Sequence, residues 1–308
     1  MECKLEGKIL LIGIGNIGSK MASLASKSTG WNCVQIGTKR FCSDYDHIDI
    51  SNYRVLNPSM RLLRASALNS IKMVTERIRK YDSVIIFAAL GEKEGAALAP
   101  MVLHACKNMP TASFVTMPFA YEKERIFESG VALKRVMAES GFTSIVDNEA
   151  IHESNPDLSI VECHTIACDA VLYVLNSLGD YNVPGKTSII SSTRTGQNVE
   201  ESLRDSLKML YNSTSGRTGH SILYISGSNI PVGVIDAASK LLHDACGSSN
   251  IATDSTDGSV KMVMTSAVVG KTRFDLYDPL GTIPIDSTLD WDELECGLNV
   301  KLDIKQLE

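Results

Sequence analysis

Six residues near the N-terminus, Gly13-Ile14-Gly15-Asn16-Ile17-Gly18, have the types and spacing to hold an anion. They follow a short apolar run and precede a helical pattern. The glycines let the backbone approach a phosphate, and the helix start offers unbonded N–H groups and a positive dipole end. A tight strand–helix junction of purely structural origin favours glycine there as well. In a dinucleotide enzyme, an acidic residue about 20 positions on would hold the ribose hydroxyls. The second strand ends instead in Ile36-Gly37-Thr38-Lys39-Arg40, where Lys39 and Arg40 suit a 2′-phosphate. An NADP-dependent oxidoreductase is thus one open class, although no hydride-transfer acid is evident downstream. The eight cysteines are scattered, with no Cys-x-x-Cys pair. Cys163, His164 and Cys168 lie close together but lack the second ligand cluster that structural zinc needs, so buried, reduced thiols and no structural metal are expected.

Positioning a phosphate turn takes alternating strands and helices, and the pattern supplies them to about residue 180. Apolar runs predict strands over 8–12, 32–36, 83–88, 112–116 and 143–146. Helical spacing predicts helices over 16–28, 60–80, 95–108 and 122–140. The acidic stretch Ser43–His47 reads as a solvated loop. Strands this apolar belong in a parallel sheet covered by helices on both faces. A further helix over 163–178 is apolar enough to lie buried between two packed units. The Gly-, Pro- and Ser-rich stretch 181–196 breaks the rhythm as a loop. Beyond it come helices over 199–211 and 232–245, with strands over 221–225, 250–253 and 260–268.

The fold class is therefore α/β: a doubly wound, mostly parallel sheet, a long central helix, then a smaller α+β domain. The expected division is 1–160 for the nucleotide-binding domain, 161–180 for the central helix, 181–280 for the α+β domain and 281–308 for a tail. At 308 residues, with 44% hydrophobic and 21% charged residues, the chain is ordinary for a two-domain globular protein. A formal charge of -6 gives no footprint for nucleic acid or an anionic membrane. No apolar run approaches a membrane span and no signal peptide is evident, so a cytoplasmic protein is expected.

The order of motifs resembles the FtsZ/tubulin superfamily of filament-forming GTPases, from the first strand to about residue 270. Gly13–Gly18 looks like the family's first phosphate loop, and Asn57-Pro58 like a remnant of its third. Val115-Thr116-Met117-Pro118-Phe119-Ala120-Tyr121-Glu122 is similar to the family's Val-Thr-Lys-Pro-Phe-x-Phe-Glu segment, the most specific match. Val146-Asp147-Asn148-Glu149 resembles the loop whose asparagine contacts guanine, and Cys168-Asp169-Ala170-Val171-Leu172 the start of the central helix. The resemblance implies GTP or GDP as cofactor. It implies phosphate contacts at Gly13, Gly15, Asn16, Gly18 and Gly91, ribose and base contacts at Glu122 and Arg125, and guanine contacts at Asn148 and Asp169. Arg125 fits only with one residue deleted between it and Glu122.

The departures are chemical. Where the family has Gly-Gly-Gly-Thr-Gly-Thr-Gly, this chain has Gly91-Glu92-Lys93-Glu94-Gly95-Ala96-Ala97. Two glutamates there would repel a triphosphate, with Lys93 compensating in part. The family's synergy loop carries acids that polarise water. The corresponding stretch here is Asn182-Val183-Pro184-Gly185-Lys186-Thr187, and the nearest carboxylate is Asp180. The expectation is an FtsZ/tubulin-like cytoskeletal or cell-division protein with weak or absent GTP hydrolysis and no catalytic residue. Its expected partner is itself or a related FtsZ-like protein, stacked head to tail. Val300-Lys301-Leu302-Asp303-Ile304 faintly resembles the family's tail peptide for membrane-tethering partners. The oxidoreductase and a ligand-free scaffold stay open as alternatives.

Overall fold

The computed structural model describes residues 5, 7–50, 57–177, 186–194, 196–214, 217–255 and 259–278. The first half alternates as expected: β1 (Ile9–Ile14), α1 (Gly15–Thr29), β2 (Asn32–Gly37), β3 (Asp46–Asp49), α2 (Met60–Ile78), β4 (Ser83–Ala89), α3 (Lys93–Ala105), β5 (Thr111–Met117), α4 (Lys123–Glu139) and β6 (Phe142–Asp147). The short α5 (Asn148–Ser154) and the long α6 (Ile160–Ser177) follow. The remainder is β7 (Thr187–Ser192), α7 (Val199–Ser213), β8 (Arg217–Ser226), α8 (Val232–Cys246), β9 (Ser249–Asp254), β10 (Lys261–Val269) and a 3-10 turn, Arg273–Tyr277.

Among the described residues one ten-stranded sheet runs through the molecule in the order β3-β2-β1-β4-β5-β6-β7-β10-β8-β9. The strands from β3 to β7 are parallel, and β10 is antiparallel to both β7 and β8. The sheet reads as mostly parallel and doubly wound, as its sequence implied. Every residue of β4, β5 and β6 is buried, because helices cover both faces. One apolar layer joins α2, α3, α4, α7 and α8 to the sheet, and the other joins α1, α5 and α6.

Three features differ from the sequence reading. Strand β3 begins at Asp46, inside the last two residues of the stretch expected as a solvated loop, because Ile48 just beyond it is fully buried. Strand β7 lies inside the expected loop because its residues, Thr-Ser-Ile-Ile-Ser-Ser, are mostly hydroxylic. Those hydroxyls are buried all the same: Ser144 and Ser188 pair across the sheet at 3.1 Å, and Ser192 donates to the Met262 carbonyl at 3.1 Å. Helix α6 is long, as expected, but lies across one face of the sheet beside α1. Cys163, Ala167, Ala170, Val171 and Val174 face inward, while Val161 and Thr165 are exposed.

Candidate functional site

The chain leaves β1 toward β2 on one side and later fills β4 on the other, so the sheet's switch point lies between β1 and β4. A parallel α/β sheet binds ligands in the crevice at that point, beyond the strand C-termini. The register Gly13↔Phe87 and Ile14↔Ala88 sets the turn after β1 directly beside the turn after β4. The turn at Gly15 takes φ +70, a conformation side chains resist, and its N-cap residue, Ile14, supplies no side-chain acceptor. Gly18 serves packing instead: a Cβ there would stand 2.3 Å from the Phe87 carbonyl oxygen.

The open amides of α1 are not left free. The Glu92 carboxylate crosses from the β4–α3 turn and accepts from the Ile17 N–H at 3.2 Å, with the Asn16 N–H also against it. It lies so close to the turn that a Cβ on Gly15 would meet Glu92 Oε2 at 2.8 Å. The Glu92 main chain is fixed by its own N–H donating to the Ala89 carbonyl at 3.1 Å. Burial pushes the Glu92 carboxyl up to about 7, against the pull of the two backbone amides, while Glu94 adds to the rise and Arg125 opposes it.

Glu94 fills the neighbouring lobe. Its carboxylate accepts from the Thr38 N–H at 3.2 Å and makes a short bond with the Thr38 hydroxyl. Lys93 does not compensate for the two acids, as its sequence position had suggested: its Nζ donates to Asn57 Oδ1 at 2.8 Å and to the Pro58 carbonyl at 3.3 Å. At the end of β2, Lys39 is exposed, and Arg40 donates to the Tyr45 carbonyl at 3.3 Å.

Beyond Glu92 a cavity of about 180 Å³ opens, lined by Gly91, Thr116, Phe119, Glu122, Arg125, Asn148 and His164 among others. Phe119 forms its aromatic wall, stacked on Tyr121 at 5.4 Å between ring centroids and tilted against His164 at 5.7 Å. Burial holds the His164 imidazole below its ordinary value, so this wall is uncharged at neutral pH. Glu122 Oε2 accepts from the Phe119 N–H at 3.0 Å, and Arg125 Nη1 bonds the Gly91 carbonyl at 2.9 Å and Glu122 Oε1 at 3.0 Å. The Asn148 Oδ1 and the Thr116 hydroxyl are both buried without a hydrogen-bond partner. Such orphaned polar atoms in a walled cavity suit a ligand that supplies the missing bonds.

Asn148 is placed by its neighbour. Asp147, only 2% exposed, caps α5 by accepting from the Glu149 and Ala150 amides at 3.1 and 3.3 Å. Its other oxygen stands 2.6 Å from Arg273 Nε and accepts from the Ser213 hydroxyl at 2.8 Å.

Of the residues expected at the site, Gly15, Asn16, Gly91, Glu122, Arg125 and Asn148 border the crevice. Gly13 and Gly18 shape the β1–α1 junction. Asp169 is elsewhere on α6, half-exposed, with its carboxylate 3.5 Å from Lys261 Nζ. His164, one and a half turns earlier, takes the place on α6 that faces the cavity. Thr116 and Phe119 lay in the quoted Val115–Glu122 segment without being picked out as contacts, and His164 had been weighed only as a metal ligand. Asp180 and residues 182–185 of the expected synergy loop, with the tail segment 300–304, lie outside the described residues.

A profile of the Tubulin/FtsZ family, GTPase domain, matches residues 62–156. The cell division protein FtsZ of Aquifex aeolicus (strain VF5) is 32% identical over 99 residues. That alignment takes in 31% of this chain and 27% of FtsZ, so it spans about a quarter of the relative's length. The solved structure of CetZ from Methanosaeta thermophila strain DSM 6194 superposes with a TM-score of 0.69 at 14% identity, over 88% of this chain and 89% of that one. Residues 62–156 thus carry the Tubulin/FtsZ GTPase-domain pattern, and the fold as a whole is shared with CetZ. A second superfamily structure, the GTPγS-bound protofilament of CetZ2 from Haloferax volcanii, gives 0.66 at 17% identity over 89% and 97% of the two chains. Within the superfamily profile fall α2 to α5, hence Glu92, Thr116, Phe119, Arg125 and Asn148, while the Gly13–Gly18 turn and Asp169 fall outside it.

The residues present fit a superfamily ligand at one end only. The Phe119 wall, Asn148 and Thr116 suit a flat base, whereas the α1 amides that would meet phosphate already hold Glu92.

Proposed function

We propose that this chain is a cytoskeletal, FtsZ/tubulin-like protein that keeps guanine recognition and has lost GTP hydrolysis. The observation that carries the reading is the cavity itself, with two buried polar atoms left unbonded against an aromatic wall and a carboxylate seated in the phosphate turn. Guanine offers N–H donors to Asn148 and a flat face to Phe119, and nucleotide binding is weakened by the acids at the phosphate end. Hydrolysis needs charge stabilisation around the γ-phosphate. At that end the chain presents Glu92 and Glu94, while Lys93 is committed to Asn57. Phosphate release from GTP by the purified chain decides the point. Turnover on the order of one per minute or faster overturns it.

Head-to-tail stacking on itself or on an FtsZ-like partner is the companion reading, supported by the CetZ2 relative, whose structure is a protofilament. Electron microscopy with GTP, with GDP and with no nucleotide tests it, alone and mixed with a filament-forming FtsZ. Unaltered filaments in every mixture, and none alone, would refute stacking. The tail as a membrane-tethering peptide is tested by truncation after residue 297 and a vesicle-recruitment assay.

A further inference from the structure

The crevice at the switch point has two halves of opposite character. Its inner half is unsatisfied: Oδ1 of Asn148, 3% exposed, and the hydroxyl of Thr116, 1% exposed, lack hydrogen-bond partners, and both residues line the cavity beside Phe119. Its outer half is already complete. Glu92 Oε2 takes the Ile17 N–H, and a Gly15 side chain would collide with it. Glu94 closes the adjoining lobe through Thr38. Arg125, the guanidinium in the cavity wall, has Nη1 committed to Gly91 and Glu122. An anion arriving at this end meets two carboxylates and finds its amide donors taken.

We propose that the site takes an unphosphorylated purine nucleoside in preference to a nucleotide, with the Glu92 carboxylate standing where a first phosphate would lie. The proposal rests on the guanine reading above and departs from it in the charge of the ligand. The chain carries its own anion at the helix start, so the ligand has only to fill the neutral inner half. A phosphate brought to the Ile17 amide would have to displace the Glu92 carboxylate, which already accepts from it at 3.2 Å.

The test is isothermal titration of the full chain with guanosine, GDP and GTP, in wild type and in Glu92→Ala, Glu92→Gln and Asn148→Ala. Wild type is expected to bind guanosine at least about tenfold more tightly than GTP. In Glu92→Ala the order inverts: GTP gains at least about tenfold, and guanosine changes little. Glu92→Gln removes the charge but keeps an acceptor for the Ile17 amide, so GTP gains less than in the alanine variant. It also serves as the check should the alanine variant fold poorly. Asn148→Ala loses guanosine. Wild type that prefers GTP or GDP overturns the proposal and leaves guanine recognition standing. GTP binding to Glu92→Ala with no guanosine binding to wild type overturns the nucleoside class. No binding of any guanine ligand to folded wild type or variants overturns the proposal and the guanine reading together.

Discussion

Replacing Glu92 by glutamine keeps the size of the side chain and an acceptor for the Ile17 N–H while removing the titrating charge. The wild-type carboxyl is held at about 7 instead of 4.5, chiefly because it is buried. A raised acid favours the folded state at low pH, where both states carry the proton. That advantage is lost as pH climbs from 4.5 through about 7. At 1.36 kcal/mol per pH unit, the interval sets a ceiling of about 3 kcal/mol of stability missing above neutrality. Partial access of water lowers this to about 1–2 kcal/mol. The charged Glu92 is also drawn to the α1 dipole, an attraction the glutamine lacks, and this works in the same direction of reduction. Urea unfolding of both proteins at pH 5 and pH 8, at fixed ionic strength, measures the difference. Glutamine is expected to be the more stable by about 1–2 kcal/mol at pH 8, with the gap shrinking toward zero at pH 5. An equal gap at both values, or a wild type that is the more stable at pH 8, would show that Glu92 is not buried against the helix start.

Arg273→Ala strips the ion-pair partner from a carboxylate that is 2% exposed and is expected to cost about 3 kcal/mol, read by urea unfolding. The loss should also loosen Asn148, so guanosine affinity falls with it. Gly18→Ala drives a methyl to 2.3 Å from the Phe87 carbonyl and should cost about 2–3 kcal/mol, seen as a melting temperature several degrees lower. Thr116→Val removes a buried hydroxyl that lacks a partner; the melting temperature holds or rises by an amount worth about 1 kcal/mol. Any guanine-ligand bond made by that hydroxyl disappears in the same variant. GTP affinity is expected to rise as pH falls from 8 to 6, because Glu92 takes up a proton across that interval. A flat profile by titration would separate phosphate exclusion from the charge on Glu92.

The strand–helix alternation was legible because β4, β5 and β6 are wholly buried and so read as apolar runs. Strand β7 was not, since only Ile189 and Ile190 in it are apolar and its buried Ser188 and Ser192 find partners on β6 and β10, one of them about 70 residues away. Serines mark a loop by composition, yet here the hydroxyls of these two are paired inside the sheet. At the site, the β1–α1 turn could be read from local spacing, whereas the segment Val115–Glu122 stood out only through its resemblance to the family, and its Phe119 wall was not read at all. The seating of Glu92 could not. Which amide a carboxylate finds depends on the β1–β4 register, across 75 residues of sequence. The sequence marked Glu92 as a repulsive neighbour of phosphate, and the structure seats its carboxylate on the Ile17 amide at the start of α1. His164 was hidden for a related reason: its neighbours Cys163 and Cys168 suggested a ligand cluster, whereas both thiols are buried in the core and pushed up by burial, Cys168 to about 11.

The bond between Asp147 and Arg273 also sets a timetable for the newborn chain. A ribosome delivers β6 and the start of α5 long before it delivers the turn that begins at Arg273. At ordinary elongation rates the two are separated by roughly ten seconds. During that interval Asp147 lacks its cation, and β7 lacks its antiparallel neighbour β10. Among the described residues, the pairing that holds the Asp147 end of β6 is thus completed late. A chain released early keeps the β1–α1 turn and Glu92 but lacks the cation that holds Asp147 beside the cavity.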